Sequence, residues 1–310
     1  MGNHSTVAEF ILVGFGGHSE LNVFLSVLLL ALYTVTVVGN IGMIAVISAD
    51  SRLQTPMYFF LKNLAFLDLC YSSVIAPKAL LCVSTGNKAI SYNGCAAQMF
   101  FFSLFGTTET FILAAMAYDR FAAICNPLRY PITMSKRACV CLVAGAYLSG
   151  CLNCSIQTGF TFSLPFCGTG RIDHFFCDVL AVMQASCSDT FANEMVMLAV
   201  CGAIIVGTAL VVLISYSFII TTVMQMPSAE GRRRAFSTCT THLVAVSLFF
   251  GTILFMYAQP GSVSSPDQNK VVSVFYTIVI PMLNPFIYSL RNQEVKEALR
   301  RQLKKKGFLH

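Results

Sequence analysis

Residues 116–130 read MAYDRFAAICNPLRY and decide the fold of this 310-residue chain. The adjacent acid and base, Asp119 and Arg120, follow about twenty apolar or weakly polar residues, the length that crosses a bilayer core as a helix. A charge pair at the end of such a run lies where a membrane-spanning helix reaches water. It can therefore hold or release a contact on one side of the membrane.

The composition agrees with a membrane-embedded chain. Hydrophobic residues make up 56% of the sequence and charged residues 11%, against about 25% charged residues in soluble domains. The length could hold two soluble domains, but the apolar excess favours one membrane body. Residues 1–20 lack a basic start and a short apolar core, so we expect no cleaved signal peptide and a first span that is retained as an anchor.

Seven segments are long and apolar enough to span a bilayer. The second carries Asp68 near its middle and the third carries Glu109. We predict an all-α membrane protein, a seven-transmembrane helix bundle that forms a single domain over residues 1–310. The predicted spans are Phe24–Ile47, Met57–Leu81, Ala96–Tyr118, Ala138–Phe160, Met195–Met226, Ala235–Ala258 and Val271–Leu290.

Lysine and arginine fall unevenly on the two sides of these spans. Sixteen of the 20 lie on one side, and cytoplasmic loops are the ones that carry such an excess. The exceptions are Lys78, Lys88, Arg171 and Lys270. We therefore expect an extracellular N-terminus (1–23), a long extracellular loop (161–194) and a cytoplasmic tail (291–310). The basic clusters border apolar spans and form no groove of their own, so we expect no nucleic-acid partner.

Two shorter patterns add to this topology. Asn3 begins an Asn-His-Ser sequon, which predicts glycosylation on the outer side; a second sequon, at Asn153, lies within a span and should stay unmodified. In the tail, Val295, Leu299 and Leu303 recur every four residues among charged residues. This spacing predicts a short amphipathic helix on membrane lipid, with a frayed charged tail as the alternative.

The 13 cysteines need more than one explanation. Most lie within or near spans, where a thiol is a small apolar residue, and Cys125 and Cys239 face the reducing cytoplasm. Four would lie outside, where disulfides form: Cys95, Cys167, Cys177 and Cys187. These four allow three pairings, and the spacing does not choose among them. Any bridge would fold the loop 161–194 over the helix bundle.

The motifs of the chain resemble those of rhodopsin-like G-protein-coupled receptors, and specifically of olfactory (odorant) receptors. The general marks are Gly39-Asn40, Asp68, Asp119-Arg120 and Asn284-Pro285-Phe286-Ile287-Tyr288. The more specific marks are PMYFFL at 56–61, MAYDR at 116–120, SY at 215–216, AFSTC at 235–239 and PMLNPFIYSLRN at 281–292. The resemblance covers essentially the whole chain. It implies disulfides between Cys95 and Cys177 and between Cys167 and Cys187.

The resemblance also implies how a signal leaves the bundle. Arg120 would pair with Asp119 at rest and turn toward a G protein when the sixth span swings out. The implied partner is the stimulatory olfactory G protein, which raises cyclic AMP. The residues expected to take part in coupling and activation are Asp119, Arg120, Tyr216, His242, Phe250, Asn284, Pro285 and Tyr288. Phe121 and Phe250 stand where the family usually has tyrosine, so a hydroxyl is lost at each.

Ionisable residues inside a membrane are costly and are candidates for function. Asp68 and Glu109 could not both be ionised at close range without a counter-ion, which suggests a shared proton or a bound Na⁺ ion. The resemblance places Na⁺ beside Asp68, with Asn40 and Asn284 nearby. A structural hydrogen-bond network without an ion is the alternative, and we expect no other cofactor.

The ligand pocket implied by the resemblance lies in the outer half of the bundle. Its residues are mostly apolar with a few hydroxyls, as expected for a small volatile odorant, and nothing charged is expected to face it. The implied contacts are Met99, Phe102, Ser103, Gly106, Thr107, Met197, Cys201, Ile204, Leu254, Tyr257, Val274 and Thr277.

Other classes of protein fit the sequence less well. A transporter or channel predicts paired repeats or a charged path through the bilayer, and neither is present in the sequence. An enzyme would need a nucleophile with its base, or metal ligands, and His174 and His242 are isolated in sequence. We therefore expect a plasma-membrane receptor and not an enzyme. The remaining alternative is a rhodopsin-like receptor for a small molecule that is not an odorant.

Overall fold

The computed structural model describes residues 8–14, 19–258, 266–291 and 293–305. Within them, seven helices are long and apolar enough to cross a bilayer, which confirms the predicted seven-helix fold. We call them spans one to seven. Their bounds are Ser19–Ala49, Pro56–Thr85, Tyr92–Cys125, Lys136–Phe162, Phe191–Gln225, Ala229–Ala258 and a composite seventh, in which Pro266–Val274 continues through the π-helical Phe275–Val279 into Ile280–Arg291. Asn3, the predicted glycosylation site, lies outside the described residues.

Most helix ends extend beyond the predicted apolar runs, because hydropathy marks the bilayer core whereas a helix continues until a cap or a proline ends it; span five is an exception, ending at Gln225 and not at Met226. Span three begins after Ser91, whose hydroxyl accepts a hydrogen bond from the Gly94 amide (3.1 Å). It ends at Cys125, just before Asn126 and Pro127, where proline disfavours helical backbone. Asp119 and Arg120 consequently lie within the last two turns of span three.

Close contact between spans three and four depends on Gly150. A Cβ atom at this position would lie 2.5 Å from Thr108 Oγ1 and 2.9 Å from the Leu104 carbonyl oxygen. Small residues let membrane helices approach in this way. Large apolar side chains that point away from the bundle, such as Phe24 and Leu213 (each 62% exposed), form the surface suited to lipid.

A small three-stranded sheet covers one end of the bundle, which we call the lid end. Its strands are β1 (Glu9–Leu12), β2 (Ala89–Ser91) and β3 (Arg171–Ile172), in the order β2-β1-β3. β1 is antiparallel to β2 and parallel to β3. Phe10 is fully buried against the rings of Tyr92, Phe162 and Phe166, with centroids 5.1–6.5 Å away. The sheet ties the N-terminal segment to two loops.

Three short helical turns, at Ser51–Leu53, Tyr130–Thr133 and Val179–Met183, lie in the connections. At the opposite end of the bundle, the tail end, the predicted amphipathic helix is present as Gln293–Lys305. Val295 and Ala298 form its buried side, whereas Leu299 is 44% exposed, so the buried stripe is offset from the predicted one. Arg301 donates two hydrogen bonds to Asp50 Oδ2 (2.8 and 3.0 Å), and Tyr58 donates one to Glu294 (2.6 Å). The helix is therefore fixed to the connection between spans one and two.

Candidate functional site

A cavity of about 180 Å³ lies inside the lid end, mainly between spans three, four, five and six. Its wall is largely apolar, as in sites for small organic molecules. Spans two and seven contribute one aromatic ring each. The lining residues are Tyr71, Phe102, Ser103, Gly106, Thr107, Thr110, Asn153, Gln157, Asp178, Val179, Leu180, Met197, Cys201, Ile204, Ile205, Phe249, Ile253 and Tyr276.

The hydroxyl and amide side chains on spans three and four form one polar wall of the cavity. Ser103 donates to Gln157 Oε1 (3.0 Å), and Gln157 Nε2 donates to Cys201 Sγ on span five (3.0 Å). One turn deeper, Asn153 Nδ2 donates to Thr107 Oγ1 (2.7 Å). Hydrogen bonds between helices satisfy polar groups that hydrocarbon would leave unpaired.

Residues 163–190, between spans four and five, cover the cavity, and we call this segment the lid. Two disulfides hold it: Cys95–Cys177 joins the lid to span three, and Cys167–Cys187 closes a loop within the lid. Both pairs agree with the expectation from the family resemblance. The Cys177 amide also donates to Gln98 Oε1 of span three (2.9 Å).

The lid is also latched to span seven. Lys270 forms an ion pair with Asp173 (2.7 Å), and His174 Nε2 lies 3.1 Å from Ser273 Oγ. The His174 ring stacks on Phe175 and meets Phe176 edge-on. Burial lowers the pKa of His174, and Lys270 lowers it further, while Asp178 and Asp173 oppose these effects. The latch therefore favours a neutral imidazole.

A polar centre lies deeper, between spans one, two and seven. Asp68 is fully buried and accepts hydrogen bonds from Asn284 Nδ2 on both oxygens (2.9 and 3.2 Å). Asn40 Nδ2 donates to the Thr36 and Pro281 carbonyls. The Oδ1 atoms of Asn40 and Asn284 are buried without a partner. Asn40 and Asn284 line a small void with Asp68. Amide and carboxylate oxygens are the ligands that a hard cation such as Na⁺ prefers, so the residues fit such an ion. Glu109 is buried but does not line this void.

At the tail end, Asp119 is fully buried and forms an ion pair with Arg120, 3.2 Å away. Asp119 Oδ1 accepts a hydrogen bond from the Tyr130 hydroxyl (2.8 Å). The approach of Arg120 to Asp119 Oδ2 is too poorly aligned to count as a hydrogen bond, and Arg120 Nε has no partner. Burial, together with Asp119, raises the pKa of Tyr130, which stays a hydroxyl donor at all physiological pH values. Arg120 is thus held by charge but is not clamped.

A second contact joins spans three, five and six near the same level. His242 is fully buried; its Nε2 lies 3.1 Å from the Leu113 carbonyl oxygen and its Nδ1 lies 2.7 Å from the Tyr216 hydroxyl. A carbonyl only accepts, so Nε2 carries the proton and Nδ1 accepts from Tyr216. This assignment links the three spans through one neutral imidazole.

Comparisons with known proteins agree with this geometry. The profile of the olfactory receptor family matches residues 29–306. The chain belongs to the olfactory receptor family. It is 58% identical to mouse olfactory receptor 9S13, over 94% of this chain and 88% of that protein, and 56% identical to human olfactory receptor OR9H1, over 98% and 99%. Its fold also resembles the crystal structure of squid rhodopsin, with a TM-score of 0.70 at 18% identity over 94% of this chain and 87% of the rhodopsin chain.

Membership settles the class of this olfactory receptor. It is a G-protein-coupled receptor for a small molecule, not an enzyme, and a multi-pass protein of the plasma membrane. The two histidines that were isolated in sequence lie in structural contacts, His242 with Tyr216 and His174 with Ser273.

The olfactory receptor's cavity contains seven of the residues that the resemblance implied as ligand contacts: Phe102, Ser103, Gly106, Thr107, Met197, Cys201 and Ile204. Four others do not line it. Met99 is fully buried in the cluster beneath the sheet, and Val274 packs against the cluster that contains Ile75 and Phe176. Leu254 is 68% exposed on the outside of span six, and Thr277 donates to the Ser273 carbonyl. The side chain of Tyr257 lies outside the described residues.

The predicted ligand contacts of this olfactory receptor do not include the polar residues of span four or the lid residues that line the cavity. Asn153 and Gln157 are amides in an otherwise apolar span, and that contrast was the available signal. The expectation that nothing charged faces the pocket was wrong, because Asp178 lines it. Asp178 also caps the lid helix through the Leu180 and Ala181 amides.

The structure places the predicted activation residues of the olfactory receptor in three groups. Asp119 and Arg120 form the ion pair, Tyr216 and His242 form the link between spans, and Asn284, Pro285 and Tyr288 line the void at Asp68. The Tyr288 hydroxyl is buried without a partner. Phe250 is half-buried and meets the cavity-lining Phe249 edge-on, with centroids 5.5 Å apart.

Proposed function

We propose that this receptor binds a small, mostly apolar odorant in the cavity beneath the lid and activates the stimulatory olfactory G protein, which raises cyclic AMP. The observation that carries the proposal is the largely apolar cavity beneath the lid, whose lining comes mainly from spans three to six. A ligand that fits one arrangement of these helices better than the other shifts the balance between them.

Phe249 and Ile253 provide the route from ligand to G protein. Both line the cavity and both belong to span six, which carries His242 two turns further toward the tail end. Displacing span six would stretch the hydrogen bond from His242 to the Leu113 carbonyl and open the space beside Arg120. Arg120 would then leave Asp119 and contact the G protein, with Arg232 and Arg233 flanking the opening.

The lid end is extracellular in this proposal, and the tail end is cytoplasmic. Disulfides persist in oxidising compartments, and both described disulfides lie at the lid end. The lysine and arginine excess lies at the tail end, as expected for cytoplasmic loops. Residues 1–23 and the loop 161–194 would then face outward, residues 291–310 inward, and the tail helix would lie on inner-leaflet lipid.

We also propose that Na⁺ binds beside Asp68 in the resting receptor. The support is the set of oxygen atoms around the void, two of them amide oxygens without a partner. An Asp68→Asn variant should lose the dependence of agonist potency on Na⁺ concentration. Equal Na⁺ dependence in the variant and the parent would contradict the proposal.

The test of the proposed function is a cyclic AMP reporter screen with volatile odorants in cells that express the receptor. An Ile204→Phe variant, which fills the cavity, should lose the response to any active odorant. Leu213→Phe is the matched control, because Leu213 lies on the same span and is 62% exposed to lipid. Equal responses from both variants at equal surface expression would contradict the proposed site.

A further inference from the structure

The hydrogen bonds of the polar wall leave specific groups unused. Ser103 and Gln157 engage each other, and Gln157 also donates to Cys201. Thr110 donates to the Thr107 carbonyl (2.6 Å). Among the described side chains of the wall, Asn153 Oδ1 is the oxygen that is buried with no partner at all, on a residue that is 3% exposed.

A donor lies beside this acceptor. Thr107 Oγ1 accepts from Asn153 Nδ2, and among the described residues no acceptor takes the Thr107 hydroxyl proton. Both residues line the cavity. A small turn of the Asn153 side chain toward the cavity would bring this acceptor to a ligand, beside the donor on Thr107. A hydroxyl group can use both, because it donates one hydrogen bond and accepts another.

We propose that the cavity selects small neutral alcohols, whose hydroxyl donates to Asn153 Oδ1 and accepts from the Thr107 hydroxyl. This inference rests on the proposed odorant site and specifies the chemistry of its ligand. An aldehyde, a ketone or an ether can accept from Thr107 but leaves Asn153 Oδ1 unpaired. Sites built around a hydrogen bond reject analogues that lack it more strongly than apolar pockets reject a change in size.

The remainder of the cavity fits the apolar part of such an alcohol. Ile204 and Ile205 of span five and Phe249 and Ile253 of span six are lining residues without polar side-chain groups. These four residues belong to spans five and six, whereas Thr107 and Asn153 belong to spans three and four. An alcohol with one hydroxyl on a hydrocarbon skeleton would therefore place its polar end on spans three and four and its apolar end against spans five and six.

An amine is the competing class of ligand, because the Asp178 carboxylate also lines the cavity and would attract an ammonium group. Its carboxylate, however, already caps two amides of the lid helix, and the residue is only half-buried. An ammonium ion bound there would lose its own water shell and gain an ion pair that water still screens. The net gain in binding free energy is therefore small. Asn153 is more deeply buried and has more to gain from a partner.

The test is a cyclic AMP dose–response comparison of matched compounds. The probes are octanol, octanal, methyl heptyl ether and octylamine, with the corresponding sets built on benzyl and terpenoid skeletons. The alcohol of an active skeleton should be about ten- to a hundredfold more potent than its ether or aldehyde. Equal or higher potency of the ether, the aldehyde or the amine would overturn the inference.

Two variants assign the preference to the wall. Asn153→Leu should reduce alcohol potency about tenfold or more and leave the ether unchanged, and Thr107→Val should weaken both compounds because both accept from Thr107. Ile204→Val is the control and should shift alcohol and ether together. An Asn153→Leu receptor that reaches the surface and keeps its alcohol preference would refute the inference.

If no probe activates the parent receptor while odorants without a hydroxyl do, this inference fails and the proposed function stands. If no odorant acts at all, both fail.

Discussion

Asp119 accepts a hydrogen bond from Tyr130 and pairs with Arg120, and it does so without any exposure to water. The two partners restrain Asp119 from different elements, a turn of the following loop and its own helix. Arg120 keeps an unpaired Nε. The Arg120 guanidinium thus lies next to the cytoplasmic face proposed above, and it can leave Asp119 when an acceptor on the G protein comes within reach.

Removing the carboxylate should therefore activate the receptor. Removing one partner of a buried ion pair costs about 3–5 kcal/mol, and this pair belongs to the resting form, so Asp119→Asn should shift the resting equilibrium by about tenfold or more toward the active form. Basal cyclic AMP should rise at equal surface expression. Tyr130→Phe removes only the hydroxyl and should raise basal signalling less; basal signalling at or below the parent level in both variants would contradict the role assigned to Asp119.

At the residue scale the sequence identified the charged groups better than the ligand contacts. Asp68, Glu109, Asp119 and Arg120 stand out because ionisable residues are rare in apolar spans. The facing direction of Met99 or Leu254 depends on the rotation of each helix about its axis, which neighbouring helices fix. Asn153 illustrates the difference: its sequon is visible in the sequence, but its place beside Thr107 is visible only after packing.

At the scale of elements, we expect the contact between the lid and span seven to weaken as the pH falls. His174 contacts Ser273 and is surrounded by charges from two elements, Asp173 and Asp178 on the lid and Lys270 on span seven. Burial lowers its pKa, so the open lid binds more protons than the closed lid below the ordinary histidine pKa of about 6.5. The latch is at full strength above this pH and weakens as the pH falls.

Hydrogen exchange of the lid amides measures this effect. Protection factors for residues 171–178, corrected for intrinsic exchange, should be lower at about pH 5 than at about pH 7.5. His174→Gln should lower the protection at both pH values and remove most of the difference between them. Protection in the parent receptor that does not change with pH would contradict the latch.

The strand β1 should contribute to stability through one side chain. Phe10 is fully buried among three aromatic rings, and truncating a buried phenylalanine costs about 3–5 kcal/mol. Phe10→Ala should therefore lower the thermal unfolding midpoint of the purified receptor. Glu9→Ala, on the exposed face of the same strand, should not; similar midpoints for both variants would contradict the packing role of β1.

Long elements were predictable and short ones were not. Each span carries a run of apolar residues that marks it locally. The tail helix is shorter, but apolar residues recur every four positions along it and predict a helix. The strands β1 to β3 have two to four residues each and pair across distant parts of the chain. No local pattern predicts such pairing, because the disulfide-tethered loops decide which edges meet.

At the scale of the whole molecule, the proposed signal passes from a cavity at one end to the Asp119–Arg120 ion pair at the other. The connection consists of span six, which touches the cavity through Phe249 and Ile253 and touches spans three and five through His242. The sequence predicted both ends through the family resemblance. The path between them required the positions of the side chains on three neighbouring helices.

Coupling between the two ends is reciprocal by thermodynamic necessity. The most direct test is the affinity of an active odorant for the purified receptor, measured with and without the nucleotide-free stimulatory G protein. We predict that the G protein tightens odorant binding about 5- to 150-fold, and that Ile204→Phe abolishes the binding in both conditions. An odorant affinity that does not change when the G protein binds would contradict the account.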